Sequence, residues 1–408
     1  MLTHIIERHA DEAAFLWSLR DEAVRAPRYT QAALAHLDGR VEAHLDGLRV
    51  AGEDAWEVCA EVLSLGEPGE LFVVAVLALE GAAHERLAAM LDAVEQAPSL
   101  GAGVVSALGW TPLATAKEAL DAFLDPRAPP LLRRLGLSGY AAHRVDPGDA
   151  LEQALYAEDP ALEARALRAV GELGRLGARA RLAERLRAAD PDVCFWAAWS
   201  GALLGVPGAS DALWPFVEAG GPRARAALEV AARTGELGAV HARLDRLEVL
   251  GPVTARLAVE GAAALGDPGR LPRLLAALRD PSLARLAAHA ISLVTGLDPD
   301  TARLRGARPA VPEPGPNDDP ADENVAPDLD RDLVWPEPDA LEAAVKSLGL
   351  RAGQRHLAGE PIREPLVARV LRSGRQDERR AAALERCLLA PGSVLCEVRA
   401  PAYRRGRA

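Results

Sequence analysis

The stretch Asp159-Pro160-Ala161-Leu162-Glu163-Ala164-Arg165-Ala166-Leu167-Arg168-Ala169-Val170-Gly171-Glu172-Leu173-Gly174 sets a pattern that the chain goes on to repeat. An Asp-Pro pair opens an Ala/Leu-rich run, glycines end it, and a second apolar run follows over 178–188. Asp190-Pro191, Gly221-Pro222, Gly251-Pro252 and Asp280-Pro281 restart the pattern after 31, 31, 30 and 29 residues. Asp caps an incoming helix, and Pro fits the first turn, where its missing N–H is not needed. Gly accepts the positive φ at which a helix stops. The same grammar returns at Gly201/Gly205, Gly235/Gly238 and Gly261/Gly266. A fixed period of this length predicts stacked antiparallel helical hairpins, an α-solenoid, and hence an all-α fold.

Working outward, the regular array spans 148–297. Upstream, 10–25 and 31–50 read as two amphipathic helices joined at Pro27-Arg28-Tyr29, and residues 1–50 are expected to form an N-terminal cap. In the second helix Leu34, Leu37, Val41, Leu45 and Leu48 make one apolar stripe. Asp38-Gly39 and Asp46-Gly47 interrupt it; these glycines either permit close helix contact or mark a kink. Residues 51–147 read as degenerate repeats, with helices at 53–65, 69–80, 82–96, 112–123 and 128–136 between breakers such as Pro68, Pro98, Pro112 and Pro126. Residues 298–340 form an acidic, Pro-rich linker, with ten acidic residues between 312 and 340. Beyond it, 341–408 carries fourteen Arg/Lys against seven Asp/Glu. This basic tail reads as a small α+β module, with short strands at 354–359 and 393–398 that are able to pair. The linker's charge suits a clamp on it.

Composition narrows the function classes. The net charge of −12 argues against wrapping duplex DNA, which calls for a basic stripe. Apolar residues make up 49% and aromatics 4%, so the core is built from Ala, Leu and Val. Cys59, Cys194, Cys387 and Cys396 form no CxxC pair, which weakens zinc and redox readings. The start of the chain does not resemble a signal peptide and no apolar run is long enough for a membrane span, so a cytoplasmic protein is expected.

On these residues the array resembles HEAT repeats, in a compact bacterial form shared by the phycobilin lyases, over roughly residues 50–297. Four further phrases are similar to those of an uncharacterised bacterial HEAT-repeat family. They are His36-Leu37-Asp38-Gly39-Arg40-Val41 with His44-Leu45-Asp46-Gly47-Leu48, His143-Arg144-Val145-Asp146-Pro147-Gly148, Gly353-Gln354-Arg355-His356-Leu357-Ala358-Gly359, and Cys396-Glu397-Val398-Arg399-Ala400-Pro401. Members of that family are often encoded near type VI secretion genes. The resemblance implies an architecture and a genomic context, and assigns no activity.

Catalytic signatures are missing from the sequence. The histidines include His4 and His9, then His36 and His44, without an HExxH; Ser138 and Ser200 lack a nucleophile elbow, and the glycines fall at turns rather than in phosphate loops. No cofactor or metal is expected. Two features remain as candidate partner-binding residues. Phe195, Trp196, Trp199, Trp214 and Phe216 put five of sixteen aromatics within 22 residues; they are either a bulky core plug or an apolar anchor for a partner. Arginines of the second helices, Arg181, Arg185, Arg243 and Arg273 among them, are either a surface for an acidic ligand or solvated ion pairs. The resulting expectation is a non-enzymatic scaffold or adaptor that binds another protein. A small-molecule-handling lyase or chaperone of the HEAT type, and a nucleic-acid binder, stand as alternatives.

Overall fold

The computed structural model describes residues 3–62, 66–81, 84–309 and 327–405. The far end of the expected helix 53–65, the start of 82–96 and most of the Pro-rich run 308–320 lie outside these residues. The chain divides into two compact units. Met1–Leu204, Ser373–Asp377 and Ala390–Ala408 form the first, Gly205–Arg372 and Glu378–Leu389 the second.

Unit 1 runs through α1 (Thr3–Ala23), α2 (Gln31–Ala51), α3 (Glu53–Val62), α4 (Pro68–Gly81), α5 (His84–Gln96), α6 (Gly101–Trp110), α7 (Leu113–Phe123), α8 (Pro130–Ala142), α9 (Asp149–Ala154), α10 (Pro160–Leu173), α11 (Arg179–Arg185) and α12 (Pro191–Leu203). The Asp-Pro logic holds at two of its starts. Asp159 accepts a hydrogen bond from the Leu162 amide at 2.7 Å, and Asp190 accepts from Asp192 and Val193 at 2.9 and 3.0 Å. Thr30 caps α2 in the same way through the Ala33 amide. In the core Trp17 stacks on Phe72 at 5.6 Å, and Phe72 meets Trp110 edge-on at the same distance. The indole N–H groups are not left bare: Trp17 donates to Ser106 Oγ and Trp110 to Glu42 Oε2, both at 2.7 Å.

Unit 2 continues with α13 (Ala209–Glu218), α14 (Ala224–Thr234), α15 (Leu237–Leu250), α16 (Pro252–Leu265), α17 (Leu271–Ala277), α18 (Ala284–Thr295), α19 (Pro338–Ser347), β1 (His356–Leu357), β2 (Glu360–Pro361), α20 (Glu364–Ser373) and α21 (Gln376–Leu389), while α22 (Ala402–Arg405) belongs to unit 1. The repeat grammar loosens here. Asp280, four residues ahead of α18, binds Ser282 in a turn, and Gly221-Pro222 precedes α14 without capping it. Its core joins α16, α17 and α18 to α19 through Leu286, Ile291, Val294, Leu341 and Val345. The fold is all-α and, among the described residues, has one small two-stranded sheet, in which β1 and β2 pair antiparallel. Their two-residue turn, Ala358-Gly359, has φ of 48° and 86°, the doubly positive geometry of a tight hairpin.

Three expectations change. Residues 393–398 are not a strand; β1 pairs with β2 instead. Residues 341–408, expected to stand as their own module, are divided between the two units. Three aspartates in the described part of the acidic linker pair with arginines of the preceding helices and turns, where a clamp on the basic tail was expected. Asp330 binds Arg256 at 2.6 Å, Asp328 binds Arg285 at 2.7 Å and Asp339 binds Arg279 at 2.8 Å, with Trp335 lying under the Arg285 guanidinium. Those arginines project from repeat helices and turns that meet the chain as it leaves the array, so the negative charge is neutralised locally.

Candidate functional site

The aromatic cluster resolves into separate settings. On α12, Phe195 and Trp199 are buried, so both act as core plugs. Trp196 is half-buried and packs edge-on against Phe195 and Trp199, at 4.8 and 5.6 Å. Its other face is covered by the Arg168 guanidinium, 4.6 Å from the ring centre. In unit 2 Trp214 is buried on α13 beneath Arg243, at 4.8 Å.

The arginines are engaged inside the chain. Arg181 and Arg185 converge on buried Glu163 at 2.8 and 2.6 Å, and Arg181 also donates to the Leu155 carbonyl and covers Tyr156. Arg243 pairs with Asp211 at 2.8 Å. Arg273 sits 3.7 Å from Glu248, which also takes a hydrogen bond from buried Arg270. An incoming acidic ligand therefore has to displace carboxylates that are already bonded.

Three of the four phrases quoted above meet one another within unit 1. Asp38, from the first phrase, is buried against Arg20 and accepts the Ala402 amide at 2.7 Å. Arg20 donates onward to the Arg399 carbonyl at 2.7 Å and lies over Trp110. Arg144, from the second phrase, donates to the Leu395 carbonyl at 2.6 Å and pairs with Glu397 at 3.0 Å. Leu395 in turn donates its amide to the Glu172 carbonyl at 2.9 Å. The Glu172 side chain binds Arg165 and Arg168, both at 2.9 Å. Burial pushes the Glu172 carboxyl up, but Arg165, Arg168 and Arg144 outweigh it and hold it below the ordinary range. Glu397 follows the same balance: burial opposes ionisation, Arg399 and Arg144 prevail, and its pKa falls to about 2. These charges clasp residues 395–404 onto the helices, and Arg404 completes the clasp by bonding the carbonyls of Gly109 and Ala142.

The remaining phrase, 353–359, has an equivalent task in unit 2. His356 donates its amide to the Gly266 carbonyl at 2.7 Å, and Ala358 and Gly359 donate to the carbonyls of Leu293 and Val294 at 2.7 and 3.1 Å. These are carbonyls at the ends of α16 and α18, which the helices themselves cannot satisfy. Asp267, also buried, gathers the Gly353 amide, the Gly269 amide and His241 Nε2.

What the sequence reading missed lies on a turn. Val249, Leu250 and Val253 flank Gly251-Pro252 between α15 and α16 with 82%, 67% and 62% exposure, three adjacent apolar side chains facing water. The signal was available: a repeat turn made of Leu247-Glu248-Val249-Leu250-Gly251-Pro252-Val253 carries far more apolar surface than a turn requires. No protein-family model and no curated protein sequence matches the chain.

Proposed function

We propose that the chain is a cytoplasmic, non-enzymatic scaffold, an α-solenoid of HEAT-like hairpins that binds another protein. The observation behind this reading is the turn at 249–253. Single exposed apolar residues are ordinary, but contiguous ones on a repeat tip mark an interaction surface. Its flanks are polar: Glu248 lies beside it and Arg246 one turn back on α15, so an apolar centre sits within a charged rim. The Trp and Arg candidates add support from the other side, because their engagement within the chain leaves the turn as the more accessible anchor. The resemblance to HEAT proteins encoded near type VI secretion genes makes secretion components the first partners to test.

A photo-crosslinking residue at position 253, introduced in the native host, tests the reading. One discrete protein adduct is expected, and it is lost when Val249→Asp and Leu250→Asp are added. Adducts that the two charges leave unchanged, or none at all, contradict it. The charged variants keep their stability to within about 0.5 kcal/mol, since they alter an exposed turn.

A further inference from the structure

α1 and α2 form an antiparallel hairpin, and His9 and His44 stand at matching depth on its two arms, 18 and 17 residues from Pro27 in the turn. Their Nδ1 atoms are 3.1 Å apart, and the rings are inclined at 61° with centres 5.2 Å apart. Gly47 makes room for this arrangement. It lies one turn beyond His44 on α2, and a Cβ there would fall 2.7, 2.8 and 2.9 Å from three atoms of the His9 ring. The imidazole therefore rests on bare helix backbone, at a position where glycine costs a helix about 1 kcal/mol relative to alanine. Gly39, which looks alike in the sequence, has nothing within 4 Å of the same point. Close approach explains one of the two mid-helix glycines and not the other.

We propose that His9 and His44 are the two protein ligands of a site for a divalent transition metal of the kind imidazole favours: Zn2+, Ni2+ or Cu2+. Two nitrogens sharing an ion at about 2.0–2.1 Å lie roughly 2.9–3.4 Å apart as the angle opens from octahedral to tetrahedral. The observed 3.1 Å falls inside that interval. Both histidines are half-buried, which fixes the rings while leaving an edge open to solvent. Among the described residues no third His, Cys, Asp or Glu completes a group around them, so the remaining positions fall to water or to an added ligand. Such a site is open and exchangeable, unlike a closed structural zinc site. An imidazole–imidazole hydrogen bond has the same spacing, and the experiment below separates the two.

Tag-free full-length protein, freed of metal with a chelator, is titrated with Zn2+ and separately with Ni2+ by calorimetry at neutral pH. The expected result is one ion bound per chain. Loss of even an outer-shell partner weakens metal sites by about tenfold or more, so His9→Ala and His44→Ala each lower affinity by at least that factor. His36→Ala, on the exposed face of α2, leaves it unchanged. Gly47→Ala keeps both imidazoles but displaces the His9 ring, and it weakens binding while helical circular dichroism is retained. Binding as tight in His9→Ala and His44→Ala as in the parent, or no saturable binding by the parent, overturns the site and leaves a hydrogen-bonded pair.

Discussion

The two units each bind a segment of the C-terminal region, and they do it with a different balance of forces. In unit 1, residues 395–404 are held by ionised side chains: Glu172 among three arginines, Glu397 between Arg144 and Arg399, and Asp38 against Arg20. In unit 2, residues 353–359 donate three main-chain amides to the ends of α16 and α18, and Arg355 adds one ionised anchor by pairing with buried Glu385 and donating to the Leu265 carbonyl. Side-chain charge is strong when buried and partnered, but it depends on protonation and fails badly when one partner is removed. Main-chain bonds do not titrate, and they depend instead on backbone geometry at the helix ends. Gly266 and Gly296, with φ of 71° and 72°, supply that geometry.

Removing the charge at the centre of the first clasp has the largest expected effect. Glu172→Gln leaves half-buried Arg165 and Arg168 against a neutral amide, and it is expected to destabilise the protein by about 2–4 kcal/mol in urea titrations. A loss under about 1 kcal/mol means that the network is solvated and the contrast between the units is lost. Gly266→Ala probes the second clasp. A Cβ there meets the His356 carbonyl at 2.5 Å on a left-handed residue, so a loss of about 2–3 kcal/mol is expected. The Gly39→Ala control, inside α2 with nothing within 4 Å of the added Cβ, costs nothing and is expected to add a few tenths of a kcal/mol, up to about 1 kcal/mol.

Acid distinguishes the clasps with a smaller effect. The folded pKa of Glu397 is depressed from 4.5 to about 2. Its contribution is therefore complete above the unfolded value and is lost as pH falls from there through the folded value. Urea midpoints measured across that window should fall for the parent and fall less steeply for Glu397→Gln, with a difference on the order of 1–2 kcal/mol. Parallel curves for the two proteins contradict the assignment of ionised Glu397 to the clasp.

The same contrast shows what was legible in the sequence. The thirty-residue period and the caps at Asp159 and Asp190 are local signals, and each predicted a helix that the structure contains. α6 was not among the expected helices, and Gly101, Gly103 and Gly109 within it lower its intrinsic helix propensity. Gly103 instead lets α6 approach α4, where a Cβ would meet the Pro68 carbonyl at 2.2 Å. Residues 393–398 alternate like a strand, yet the Leu395 amide binds the Glu172 carbonyl, a partner over two hundred residues away that no local window holds. The second-helix arginines read equally as a ligand surface or as ion pairs, and the choice falls to tertiary structure, where Arg181 and Arg185 on α11 reach back to Glu163 on α10. The apolar turn at 249–253 was visible in the sequence but was absorbed by its Gly-Pro, which drew the reading toward turn geometry.

The two clasps build the C-terminal residues into the two units. Amide hydrogen exchange on the full-length protein at neutral pH tests this most directly. The amides of Leu395, His356 and Ala358 are expected to exchange as slowly as the helices they bond to, α10, α16 and α18. Exchange of these three amides at the rate of an unstructured chain, while the helices stay protected, would contradict it.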